Sequence, residues 1–179
     1  MRLACLALTA AIALPAAASA AVSDVSAQGF RVSSTYEVAA PRDRVWAALV
    51  QPGKWWNPQH SWFGNPGRDF RLELKPDGCF CESGPDGSAL HMRVAFINPQ
   101  AQLNLWGALG PLAMEGASGG LTVKLEDAGA GATRMTVTYT VGGYLTGGAE
   151  KWAPLVDGVL AEQFGRLERY AENGAPAPR

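Results

Sequence analysis

Histidine is nearly absent. The chain has 179 residues and two histidines, His60 and His91, so imidazole acid–base or metal chemistry has to use one or both. Cysteine is almost as scarce, at Cys5, Cys79 and Cys81, with no C-x-x-C spacing. With so few ligands neither a metal site nor a cofactor is expected. Charge of one sign is lacking too. Lys plus Arg number 15 against 16 for Asp plus Glu, which leaves no basic footprint for nucleic acid. There is no G-x-S-x-G, no H-E-x-x-H, no phosphate-binding loop and no dinucleotide fingerprint. Ser61 and Ser118 have no spaced His and Asp partners for a triad. Past the N-terminus, no stretch is long and apolar enough to span a membrane.

What is present begins with a targeting pattern. Arg2 gives a positive start, Leu3 to Leu14 an apolar run too short to span a bilayer, and Ala18-Ser19-Ala20 a cleavage site. The expectation is a signal segment over residues 1–20 that is removed after Ala20, taking Cys5 with it, and a secreted chain that works in a bacterial periplasm. Residues 21–29 read as a flexible leader, 30–172 as one domain and 173–179 as a flexible tail.

The alternation of Phe30, Val32, Ser34, Tyr36 and Val38 with polar residues predicts a half-buried strand. Pro41 starts a short helix over 42–50, and a second helical turn holds Trp55 and Trp56. A run of strands follows, divided by Pro76-Asp77-Gly78, Gly84 to Gly87, Asn98-Pro99 and Ala128 to Ala132. The clearest has Met135, Val137, Tyr139 and Val141 on one face and Thr136, Thr138 and Thr140 on the other. In the strand over 89–97, Met92, Val94 and Phe96 are expected inward, with His91 and Arg93 outward unless the register is reversed. Gly107 to Gly120 is the least periodic stretch.

The chain closes on an amphipathic helix over 152–171. Trp152, Leu155, Val156, Val159, Leu160, Phe164, Leu167 and Tyr170 fall on one side, and Asp157, Glu168, Arg169 and Glu172 on the other. Pro154 belongs near its first turn and Asn173-Gly174 stops it. The order of elements predicts an α+β fold, with helices on one face of an antiparallel sheet of about seven strands. Cys79 and Cys81 stand two apart in a strand, where Cβ atoms lie too far apart for an easy disulfide unless a bulge intervenes. Buried thiols, a disulfide and a soft-metal handle all remain open.

Three stretches carry a family resemblance: Tyr36 to Leu49, Lys54-Trp55-Trp56-Asn57-Pro58, and the pair Gly131 to Val137 and Lys151 to Leu160. On these the chain resembles the START-like (SRPBCC) superfamily, the helix-grip fold. Within it the chain is most similar to bacterial homologues of the activator of Hsp90 ATPase, over roughly Phe30 to Glu172. The resemblance implies a curved sheet gripping the C-terminal helix, with a cavity between them for an apolar ligand. It implies no catalytic motif, and fold alone does not assign function.

Trp56, Trp62, Trp106 and Trp152 are candidates for the cavity wall, as large aromatic rings suit apolar ligands. Trp46 reads as core. His60, Phe63, Met114, Tyr139, Tyr144 and Val156 complete the candidate wall, and Glu115 is a rim candidate that reads better as a solvated carboxylate. The preferred reading is a binding protein for a small hydrophobic or amphipathic molecule. A cyclase- or dehydratase-like enzyme that moves a proton with His60 or His91 is the alternative. A chaperone co-activator is weaker, since a cleaved signal removes the chain from a cytosolic chaperone.

Overall fold

The computed structural model describes residues 19–63 and 69–176. The targeting run up to residue 18, Gly64 at the end of the aromatic loop, and tail residues 177–179 lie outside the described residues. The strands are β1 Ser19–Ser26, β2 Gly29–Val38, β3 Asp69–Leu72, β4 Cys79–Gly84, β5 Gly87–Asn98, β6 Gln102–Gly107, β7 Ala117–Gly129 and β8 Ala132–Gly143. The helices are α1 Arg42–Leu49, α2 Pro52–Trp55 and α3 Ala149–Asn173, with 3-10 turns at Pro58–His60 and Gly110–Met114. All strands join one curved antiparallel sheet in the order β1-β2-β8-β7-β6-β5-β4-β3. This is the helix-grip arrangement, with eight strands.

The alternation read from the sequence sets which face is core. Phe30, Val32, Ser34, Tyr36 and Val38 of β2 are buried, as are Met135, Val137, Tyr139 and Val141 of β8. These side chains share the concave face with Leu121, Val123 and Leu125 of β7 and with Leu160, Phe164, Leu167 and Ala171 of α3. Fully burying side chains of this size stabilises by roughly 1.5–3 kcal/mol each. The end of α3 is fixed to the β2–α1 corner. The Ala39 N–H donates to Glu172 Oε1 at 2.8 Å, and Arg44 Nη2 donates to the Glu172 carbonyl at 2.9 Å. Gly174 then stops the helix with φ 75°, a left-handed conformation glycine adopts without steric cost.

Four expectations need correction. The stretch read as a flexible leader, 21–29, includes most of the edge strand β1, in which Val22 pairs with Val32 and Val25 with Phe30. Its main chain supplies the pairing, so short polar side chains suffice at an edge. Helix α3 begins a turn early, at Ala149, which moves Pro154 into the second turn. There it has no N–H to give the exposed Glu150 carbonyl. Asp157 and Glu168, read as solvent-facing, are partly buried, and desolvation raises the pKa of both carboxyls. In β5, Met92 and Val94 face the core, but a second shift of register between Val94 and Phe96 turns Phe96 out to solvent.

Cys79 and Cys81 form a disulfide with a Cα–Cα distance of 5.4 Å. A shift of register between β4 and β5 lies beside it at Phe80/Cys81, with the extra residue on β5. The ring spans one intervening residue, so its chain-entropy contribution is at most about 1.5 kcal/mol. Reduction with dithiothreitol is expected to lower unfolding stability by no more than that, as read from paired urea titrations.

Candidate functional site

The motif Trp55-Trp56-Asn57-Pro58 is clasped to the middle of α3. The buried Gln163 accepts the Asn57 N–H through Oε1 at 2.7 Å, and Arg166 Nε donates to the Trp55 carbonyl at 2.7 Å. The Asn57 side-chain amide donates to Glu162, whose other oxygen meets His60 Nε2 at 2.9 Å. The Asn57 bond first, then His60, holds the Glu162 carboxyl below its ordinary pKa. Trp55 turns into the core and donates its Nε1–H to the Ala48 carbonyl. Trp56 faces the other way along the sheet, its ring 5.2 Å from Phe80 and 6.0 Å from Phe70.

This clasp forms one side of a cavity of about 460 Å³, a size that suits a small molecule. Trp56, Gln59, His60, Ser61 and Trp62 line that side. Helix α3 supplies Trp152, Leu155, Val156, Val159 and Leu160 opposite, and the turn at Leu109–Leu112 closes a third side. His91 reaches the cavity from β5. Trp152 is held by an Nε1–H bond to the Thr146 carbonyl at 3.1 Å. Among the described residues the lining side chains include no lysine, arginine, aspartate or glutamate.

His91 is buried, which corrects the outward expectation. It is the extra β5 residue between Met92, which pairs with Phe80, and Leu90, which pairs with Cys81. The bulge places two consecutive side chains, His91 and Met92, on the inner face. Behind His91 lies Glu82, fully buried, with Oε1 accepting the Trp62 N–H at 2.8 Å. Its Oε2 stands 3.8 Å from His91 Nε2. Desolvation lowers the His91 pKa below the ordinary 6.5, and Glu82 offsets part of the shift. A depressed histidine pKa means that the unfolded chain binds the proton more tightly. The stability held by neutral His91 is therefore full above pH 6.5 and lost as pH falls from there through the folded-state value. Unfolding free energy is expected to fall on acidification below pH 6.5, and His91→Phe should flatten that limb in urea titrations at stepped pH.

Of the candidate residues, Trp56, His60, Trp62, Trp152 and Val156 line the cavity. Phe63, Trp106, Met114, Tyr139 and Tyr144 do not. Phe63 covers the β4–β5 turn near Gly87. Trp106 is 58% exposed on the convex face opposite Arg93, because β6 turns Leu105 inward instead. Met114 and Tyr144 are 76% and 73% exposed. Tyr139 is buried in β8, where desolvation pushes its pKa up to about 12. Its hydroxyl donates to the Gly107 carbonyl and accepts the Leu109 N–H, both at 3.2 Å, so it anchors the segment that closes the third side. Glu115 accepts the Thr146 N–H at 2.7 Å, fixing the loop that carries Tyr144. Sequence reasoning missed Glu82 and the Leu109–Leu112 wall. A glutamate two residues after Phe80 on an apolar strand face was the available signal for the first. The glycine-rich stretch gave none for the second.

A family model described as activator of Hsp90 ATPase homolog 1-like protein matches residues 39–172. No curated protein matches the chain in sequence. Among solved structures, a conserved protein of unknown function from Enterococcus faecalis is similar at TM-score 0.58 and 16% identity, covering 90% of this chain and 81% of its own. CalU16 from Micromonospora echinospora is similar at TM-score 0.58 and 15% identity, covering 91% and 88%. A protein from Arthrobacter aurescens matches at TM-score 0.52 and 23% identity, covering 85% and 90%. Identities this low speak to the fold alone.

Proposed function

The chain belongs to the activator of Hsp90 ATPase homolog 1-like family, within the START-like superfamily, and from that premise we propose a secreted binding protein that holds one small hydrophobic or amphipathic molecule. The observation that carries this reading is the apolar cavity of about 460 Å³ between α3 and the aromatic clasp, with three tryptophans in its wall. Secretion is supported by the targeting pattern before Ala21 and by the Cys79–Cys81 disulfide, a bond at home in an oxidising compartment. N-terminal sequencing of protein recovered from the periplasm should begin at Ala21.

The test is titration of the whole mature protein with N-phenyl-1-naphthylamine, a neutral apolar fluorophore. Saturable binding is expected. Val156→Trp, which fills the cavity from α3, should weaken it at least twentyfold while the unfolding midpoint stays within a few degrees. No binding by the unaltered protein, or equal binding by the filled variant, would remove the reading.

The Glu82–His91 pair favours a second reading, a cyclase- or dehydratase-like enzyme in which His91 is the acid–base group and Glu82 orients it. His91→Ala should then abolish turnover of a bound substrate and leave binding in place.

A further inference from the structure

Resting on the binding reading, the cavity also carries information about the chemistry of its ligand. Among the described residues its wall offers no lysine, arginine, aspartate or glutamate, so a charged head group against them would lose its hydration unpaired. The buried polar group on that wall is His91. Phe80, Phe70 and Trp56 surround its ring at centroid distances of 5.1, 5.8 and 6.5 Å, and burial keeps the imidazole neutral near pH 7.

Two atoms at this point have no hydrogen-bond partner among the described residues, His91 Nε2 and Glu82 Oε2. Both side chains are more than nine-tenths buried, and the two atoms stand 3.8 Å apart. That is too far for a hydrogen bond, and both atoms are sealed from the cavity as the side chains stand, so an oxygen atom can lie about 2.8 Å from each only once the His91 ring swings aside. A hydroxyl both donates and accepts, so with the Nε2–H tautomer it accepts from His91 and donates to Glu82 Oε2. A ketone or an ether only accepts, and a carboxylate would face the Glu82 carboxyl.

We infer that the cavity selects a neutral, largely apolar molecule bearing one hydroxyl group, which bridges His91 Nε2 and Glu82 Oε2 while the rest of the molecule lies against Trp56, Trp62 and α3. The bulge at His91 has a function in this account, since it brings the imidazole to the wall.

The test uses three ligands of nearly one shape, 4-pentylphenol, 4-pentylanisole and pentylbenzene, as displacers of N-phenyl-1-naphthylamine from the whole mature protein. An apolar cavity without a polar anchor prefers the hydrocarbon, because the phenol has to give up hydration. The expected result is that the phenol binds at least tenfold tighter than both others. In His91→Phe the order should reverse in favour of pentylbenzene. If pentylbenzene binds the unaltered protein as tightly as the phenol, the hydroxyl site is overturned and the binding reading stands. The anisole matching the phenol overturns it as well, since the methyl ether cannot donate. If none of the three displaces the bound probe, the hydroxyl site is overturned, and the binding reading stands or falls on the probe titration itself. The comparison on the unaltered protein decides the matter even if the variant does not fold.

Discussion

Trp56→Ala is expected to destabilise the protein by about 3–5 kcal/mol and to abolish binding of an apolar probe. The indole is 7% exposed, with ring centroids 5.6 Å from Trp55, 5.2 Å from Phe80 and 6.0 Å from Phe70. Truncation removes the face those rings pack on and a wall of the cavity together. The surrounding elements cannot collapse into the gap. Asn57 is held by Gln163 and Glu162, and Trp55 by Arg166, so the main chain on both sides of Trp56 stays in place. Urea unfolding at an unchanged m value measures the first effect, and probe titration the second. Trp56→Phe keeps an aromatic ring in the same position and should lose much less of both. Similar losses for Phe and Ala would mean that the indole's size is not what the site uses.

Gly119→Ala is the second large effect, expected at about 3 kcal/mol or more, at the upper end of what overpacking produces. A Cβ on Gly119 would stand 2.2 Å from the Thr140 carbonyl oxygen and 3.0 Å from the Tyr139 ring. The first atom is main chain within the β7–β8 pairing, on the residue paired with Gly120, and cannot give way. The second belongs to the side chain whose hydroxyl holds Gly107 and Leu109. A methyl group here therefore loosens the Leu109–Leu112 wall as well as the sheet, and probe affinity should fall with stability. Gly120→Ala is the control. Its added carbon meets nothing within 4 Å, and it should lie within about 0.5 kcal/mol of the unaltered protein.

The contrast between adjacent glycines shows where the sequence stopped being readable. Strands β2, β7 and β8 announce themselves because each buries one face, so composition alternates with geometry. Helix α3 is legible for the same reason at a different period. Strand β1 was not, since main-chain pairing at an edge leaves little trace in side-chain pattern. The site was half legible. Trp56, Trp62 and Trp152 could be picked out as large rings, but Trp106 and Tyr144 belong to the same chemical class and face solvent. His91 depended on one inserted residue in β5, and a one-residue slip reverses every inference about facing. Nothing in the composition of Ala89 to Ile97 marks the position of that slip.

The strand order has a bearing on how fast the molecule assembles. From β3 to β8 each strand pairs with its neighbour along the chain, and β1 folds back on β2. One seam is different. Strand β2 meets β8 across the body of the sequence, joining Arg31 to Thr140 over a separation of 109 residues. The hairpins can close on their own in microseconds, but the seam has to wait for a long loop to close, an entropic cost met before any contact of the seam forms. Helix α3 packs on β2, β1, α1 and α2, and its residues come last in the chain, so the cavity lacks its α3 wall until the helix docks beside that seam. The folding rate of the whole domain is therefore expected to follow that one pairing, with the binding site completed after it.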